Sequence, residues 1–318
     1  MRYYFTKIPI VILAVLIVSR CSTEDSKNMP KFVAVANDSY IAAYSTDGIK
    51  WKKTNLPAKT YWKSVCYGNG KFIAVACDSN IATYSTDGIK WTAVPLLNDY
   101  GYLQSVCYGN NKFVAAGIYK PAYSTDGINW TAIELPEVDN WMCITYGKGK
   151  FITLGCGDDK GSDKAAYSKD GIKWKAAEMP AIATWKSICY GKGWFVAINS
   201  GKDDNGDTWA SYSEDGLEWK EVKLPASANW KSICYGNGMF VTVGESDQVV
   251  YSADGITWKK TARLPVSANW RSVCYGNKKF TAIASDSDKA AYSQDGINWT
   301  MTTLPRKIDW VSMCYGGE

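Results

Sequence analysis

The chain has 318 residues, of which 46% are hydrophobic, 14% aromatic and 21% charged, and it contains no histidine. That absence excludes Ser-His and Cys-His nucleophilic catalysis, histidine-ligated zinc and histidine-ligated haem. The formal charge of +5 is mostly local: residues 1–20 hold Arg2, Lys7 and Arg20 and no acid, leaving 33 basic against 31 acidic residues, a net +2 that does not call for a nucleic-acid partner.

In chain order, Ile8 to Val18 is an apolar run containing one proline. Eleven residues are too few to span a bilayer as a helix, and the basic flank marks residues 1–20 as a signal peptide. The run closes in "IVSRC", which puts Cys21 where a bacterial lipoprotein carries its lipid. Residues 21–30 are polar and aperiodic, as a tether would be. The expectation is an exported protein of the outer membrane, cell surface or periplasm, in contact with the membrane through a lipid anchor only.

From Lys31 onward the chain repeats. "YSTDGIKW" at Tyr44 to Trp51 returns in related form at Tyr84, Tyr123, Tyr167, Tyr212, Tyr251 and Tyr292, with spacings of 40, 39, 44, 45, 39 and 41 residues. A catalytic motif is needed once, whereas a period of this size signals a repeat architecture.

One unit can be read from Trp62 to Pro95. "WKSVCYG" alternates as a strand does, Asn69-Gly70 is a two-residue hairpin signal, Phe72–Ala76 is an apolar second strand, and "CDSN" turns into a third strand over Ile81–Ser85. After "TDG" the pattern predicts a fourth strand over Ile89–Val94. In each octet the aspartate (Asp47, Asp87, Asp126, Asp170, Asp215, Asp254 and Asp295) has acceptor oxygens for turn amides, the glycine supplies a backbone angle closed to side chains, and the serine can tie the strand ends. The octet therefore reads as a structural joint.

Cysteines follow the repeat as well. Cys66, Cys107, Cys189, Cys234, Cys274 and Cys314 share one position, Cys77 and Cys156 share another, and Cys143 stands alone. Repeat positions of this kind predict small buried packing residues, and free thiols rather than disulfides.

The octets resemble the Asp-box (BNR) repeats of sialidase-like propellers, whose pattern is Ser-x-Asp-x-Gly-x-x-Trp; here Asp and Gly are adjacent, and the resemblance covers residues 31–316. It implies an all-β fold: a seven-bladed β-propeller over residues 31–318 with four antiparallel strands per blade. "KFVAVA" at Lys31 is in register with a second strand and "WVSMCYGG" at Trp310 with a first, so the C-terminal inner strand should pair with the N-terminal three and close the ring. The chain would enter at the hairpin-turn end, which turns the opposite face away from the membrane.

Three features of that outward face are candidates for binding. Trp62, Trp141, Trp185, Trp230, Trp270 and Trp310, with Leu103 as the odd member, open the first strands and could form an aromatic collar. Asp203, Asn205 and Asp207 in "DDNGD" place oxygen ligands at alternate residues, a weak calcium pattern and the sole hint of a cofactor. Trp194 and Trp209 lie outside both repeat tryptophan positions, so the repeat does not account for them.

Sialidases of this fold need three arginines from different blades, whereas Arg263, Arg271 and Arg306 fall within one stretch, and no catalytic residues stand out. The reading is a non-catalytic, monomeric binding or scaffold propeller of the cell envelope, with a glycan or protein ligand. Two other classes stay open: an assembly factor for a membrane complex, resembling propellers that help build photosystems, and a glycoside hydrolase.

Overall fold

The computed structural model describes residues 32–96, 102–118, 120–137, 139–157, 161–201, 206–260 and 263–317. Residues 1–20, the stretch 21–30 with Cys21, and Asp203 and Asn205 lie outside the described residues. The described chain is all-β and contains no helix.

The strands run β1 (Phe32–Ala36), β2 (Ser39–Ser45), β3 (Lys52–Thr60), β4 (Trp62–Gly68), β5 (Lys71–Ala76), β6 (Ile81–Ser85), β7 (Thr92–Pro95), β8 (Leu103–Gly109), β9 (Lys112–Gly117), β10 (Ala122–Ser124) and β11 (Thr131–Ala132). They continue with β12 (Trp141–Gly147), β13 (Lys150–Gly155), β14 (Ser162–Ser168), β15 (Lys175–Ala183), β16 (Trp185–Gly191), β17 (Trp194–Asn199), β18 (Trp209–Ser213), β19 (Lys220–Lys223) and β20 (Asn229–Gly236). The last are β21 (Met239–Ser246), β22 (Val249–Ser252), β23 (Trp258–Lys260), β24 (Ala268–Gly276), β25 (Lys279–Ala284), β26 (Ser287–Ser293), β27 (Thr300–Ile308) and β28 (Trp310–Tyr315).

Five sheets have four antiparallel strands, and an eight-stranded sheet forms where β20–β23 and β24–β27 are linked by a short ladder between β21 and β24. The C-terminal β28 pairs with β1, giving the order β28-β1-β2-β3, as the terminal register predicts. In the unit that starts at β4, the third strand occupies Ile81–Ser85 as expected, but the fourth begins at Thr92. The reason is local: Asp87 Oδ1 accepts the amides of Ile89 and Lys90 at 2.8 Å each, so these two amides belong to the turn and not to the ladder.

The octet works as a joint in every copy. In the first, the Ser45 hydroxyl donates to Asp47 Oδ1 at 3.0 Å and accepts the Gly48 amide at 2.9 Å, while Asp47 Oδ1 also accepts Ile49 and Lys50. Gly48 has φ +72° and an added Cβ would lie 2.8 Å from Thr281 Oγ1, so both conformation and space demand glycine. At the same end, Asn69 and Gly70 take φ 45° and 72°, the pair of positive angles that a tight antiparallel hairpin needs.

Packing between sheets uses one aromatic set. The second strands are buried over the five residues from their phenylalanine onward, as in Phe72–Ala76, and Phe72 packs tilted against Tyr67 with ring centroids 4.7 Å apart. The tyrosine ring of one first strand lies over the glycine of the previous one: a Cβ on Gly68 would sit 2.0 Å from the Tyr108 ring, and one on Gly276 2.0 Å from that of Tyr315. A Cβ on Gly316 would meet Phe72 and Tyr67, which brings the last strand against the unit that starts at β4.

Candidate functional site

The first strand of every unit departs from simple alternation. Trp62 pairs with Ala76 and Ser64 with Val75, so Lys63 is an extra residue in a β-bulge. The same break falls between Leu103 and Ser105, Trp141 and Cys143, Trp185 and Ser187, Trp230 and Ser232, and Trp270 and Ser272. In β28 it sets Val311 between Trp310 and Ser312, opposite Val35 and Ala36. A bulge re-aims its extra side chain. Here all seven extra residues, Lys63, Gln104, Met142, Lys186, Lys231, Arg271 and Val311, line one cavity of about 200 Å³ at the start of the inner strands.

The next layer of that cavity is a ring of serines. Val65 N–H donates to Ser312 Oγ (3.2 Å), Val106 to Ser64 (3.1 Å), Ile144 to Ser105 (3.3 Å), Ile233 to Ser187 (3.2 Å), Val273 to Ser232 (3.1 Å) and Met313 to Ser272 (3.1 Å). All six serines line the cavity. Cys143 takes the serine place in β12, and among the described residues no hydrogen bond joins it to Ile188. Each serine oxygen is engaged as an acceptor, which leaves its hydroxyl proton as the group to donate.

Electrostatically the cavity is positive. Lys231 is 11% exposed and pairs with Glu245 at 2.9 Å, and Lys63 donates to Asn37 Oδ1 at 3.3 Å. Burial holds the Lys186 ammonium below the usual lysine range, and the neighbouring charges of Lys231 and Arg271 act in the same direction. Burial also pushes the Cys143 thiol, on the cavity wall, up to about 12, so it is a thiol and not a thiolate at neutral pH.

The tryptophans expected to form a collar are elsewhere. Trp62, Trp185, Trp230, Trp270 and Trp310 are 0% exposed and Trp141 2%, so the six indoles are packing residues and present no ring face to a ligand. Their ring N–H groups are used internally, as in Trp185 to Ser162 O at 3.0 Å and Trp230 to Thr208 Oγ1 at 3.1 Å. The bulge is the physical cause: the register shifts by one between Trp62 and Ser64, so the indole goes into the packing and the extra residue, Lys63, into the cavity.

Trp194 and Trp209 are both half-buried but lie at opposite ends of the β17–β18 pair, and only Trp209 is at the end away from the octet turn. Trp194 packs edge-on to Tyr212, 5.6 Å between centroids, beside the octet turn at Glu214 and Asp215. Asp207 forms an ion pair with Lys223, and among the described residues no group of three metal-ligating side chains comes together. The nine described cysteines are free, and burial raises the thiols of the repeated position.

Exposed aromatic surface instead comes from tyrosines that sequence reasoning passed over. Tyr61 and Tyr102 are 41% and 47% exposed, and each directly precedes the first residue of an inner strand. Tyr40, 49% exposed, lies near the start of β2. The Lys63 ammonium lies over the Tyr61 ring at 5.8 Å, linking this surface to the cavity. The available signal was a break in pattern: the position before the tryptophan or Leu103 holds small polar residues elsewhere, Asn140, Thr184, Asn229, Asn269 and Asp309, but Tyr61 and Tyr102 here.

The sheets and their arrangement define a β-propeller fold, and comparison with solved structures agrees. No protein-family model matches the sequence, and no curated protein matches it. A catalytically inactive histidine-to-alanine form of virginiamycin B lyase from Staphylococcus aureus, with quinupristin, is 12% identical with a TM-score of 0.66, over 87% of this chain and 96% of that one. YCF48 bound to D1 peptide is 13% identical with a TM-score of 0.61, over 81% and 91%. A structure of the nidogen–laminin complex is 9% identical with a TM-score of 0.54, over 90% and 98%. At these identities the likeness concerns the fold alone.

Proposed function

We propose that the chain is a non-catalytic binding propeller that takes a protein ligand on the face carrying the crossovers, centred on the bulge-lined cavity and its exposed tyrosines. One observation carries this reading. The inner strands are nearly identical, yet the seven bulge positions that share the cavity carry Lys, Gln, Met, Lys, Lys, Arg and Val. Side chains that differ at equivalent positions around a common cavity make a shaped recognition surface on a uniform scaffold.

Two of the similar structures hold a peptide or protein partner, D1 peptide with YCF48 and laminin with nidogen, which favours a protein ligand over a glycan. Lyase chemistry is disfavoured because the similar lyase is inactive without one of its histidines and this chain has none.

The proposal includes seven four-stranded blades closed into a ring. It is supported by the serine relay that runs from β28 to β4 as well as from β24 to β28, and by Lys279 Nζ donating to Asp47 O at 2.9 Å. It also includes export through residues 1–20, lipidation at Cys21 and a tether over 21–30, which would direct the cavity away from the membrane.

Arrays of peptides and of glycans probed with the full chain test the reading. Peptide binding that Tyr61→Ala or Tyr102→Ala reduces at least fivefold, and that Trp194→Ala on the other face leaves unchanged, supports it. Turnover of a chromogenic glycoside, or binding that maps to the Trp194 face, overturns it.

A further inference from the structure

The chemistry of the cavity specifies more than a position, and the inference below rests on the binding reading above. Three consecutive inner strands, β16, β20 and β24, contribute Lys186, Lys231 and Arg271, and Lys63 adds a fourth cation from β4. Glu245, paired with Lys231, is the acid in ion-pair contact with this set among the described residues. The cations therefore outnumber their paired acid by three, in a space of about 200 Å³.

Like charges in a confined, partly desolvated space repel and favour an anion from outside. The depressed proton affinity of Lys186 has burial as its first cause, and the charges of Lys231 and Arg271 contribute further. Serine hydroxyl protons below the cations add donors and no anionic competitor.

Size and polarity narrow the anion. A cavity of about 200 Å³ takes the place of about seven waters, at roughly 30 Å³ each, which suits one side chain or chain end. The cationic arc is bounded on one side by Met142 and on the other by Val311, apolar surfaces suited to the methylene groups of an aliphatic acid. We propose that the cavity binds one carboxylate carried by a polypeptide, an acidic side chain or a chain terminus, between Lys186, Lys231 and Arg271 with its methylenes against Met142 and Val311.

Calorimetric titration and thermal melting of the full chain at low salt test this, with four probes: Ac-Gly-Glu-Gly-NH2, Ac-Gly-Gln-Gly with a free terminus, inorganic phosphate and N-acetylneuraminic acid. The expected result is binding of one or both carboxylate peptides with a rise in melting temperature. The first probe reports a side chain and the second a terminus. Affinity should fall at least tenfold in Lys186→Met and in Arg271→Gln, and stay within about threefold in the charge-preserving Arg271→Lys, whose retained melting transition controls for folding.

Binding of phosphate or the acidic sugar in preference to both peptides overturns the assignment, as does binding of none of the four. If Lys186→Met and Arg271→Gln keep the array ligand while Tyr61→Ala loses it, the carboxylate site is refuted and the binding propeller stands. If all three keep it, both readings fall.

Discussion

Acid should unfold this protein through its octet turns, and Asp254 allows the effect to be sized. Its Oδ1 accepts Ile256 N at 2.9 Å and Thr257 N at 2.6 Å and receives the Ser252 hydroxyl at 2.9 Å. Burial pushes the carboxyl up, and these hydrogen bonds to the charged form outweigh it, bringing its pKa from 3.8 to about 2. At about 1.4 kcal/mol for each tenfold change in proton affinity the ceiling is about 2.5 kcal/mol, and because the group is largely solvated, screening reduces this to about 1 kcal/mol. A depressed carboxyl stabilises the fold above its unfolded pKa, and the contribution is lost as pH falls from about 4 through about 2.

The other octet aspartates, Asp47, Asp87, Asp126, Asp170, Asp215 and Asp295, are depressed in the same direction by the same bonds, against the same opposing burial. Because all seven shift in one direction, their losses on acidification add, and a typical protein is held folded by only about 5–15 kcal/mol. Tryptophan fluorescence followed from pH 7 to pH 1.5 should show cooperative loss of structure between pH 4 and pH 2. In urea at pH 7, Asp254→Asn should cost about 1 kcal/mol, and the difference from the parent should shrink as the pH is lowered from 5 toward 3. A difference that persists unchanged at pH 3, or a parent whose urea midpoint is the same at pH 2 and pH 7, would refute the reasoning.

Other outcomes follow from the packing. Trp230→Ala removes a fully buried indole and should cost about 3–5 kcal/mol in urea unfolding. Gly236→Ala should destabilise despite its chemical modesty, because the new Cβ meets the Tyr275 ring at 2.0 Å; an unchanged melting temperature would mean that the ring moves freely. Cys143→Ser supplies the missing oxygen acceptor for Ile188 and should stabilise by about 0.5–1 kcal/mol, or roughly 1–3 °C in melting temperature. The repeated-position thiols should resist Ellman's reagent at pH 8 until the protein is denatured, because burial raises their pKa values.

Much of the unit was legible because its signals are local. Asn69-Gly70 and Asp87-Gly88 fix two turns through backbone angles and through hydrogen bonds that span at most three residues, so hairpins appear wherever those pairs occur. The pairing of β28 with β1 was legible too, because the chain starts and stops at complementary points of the repeat. The error at Ile89–Trp91 arose where two local rules compete for the same amides, and the aspartate wins them.

The site was less legible. Strict alternation assigns Trp62, Ser64 and Cys66 to one face, but the observed burial of the strand has Trp62, Val65 and Gly68 buried and Lys63 and Ser64 partly open. A bulge adds one residue without any marker such as glycine, and it is fixed by pairing with Val75 and Ala76 of the neighbouring strand. The tryptophan collar was inferred from the place of the indoles at the start of the first strands, and it fails because those indoles are fully buried.

The sequence by itself determined the repeat, the turn chemistry, the four-stranded unit and the exclusion of histidine chemistry, since each depends on residue identity or on spacing within one unit. Only the tertiary structure decided what the residues after the tryptophans do. Lys186, Lys231 and Arg271 are each about 40 residues apart in the chain, and separately they read as ordinary surface cations. The bulges turn them toward one space and the serine relay holds their strands side by side, so a cationic cavity arises from long-range packing that no single unit encodes.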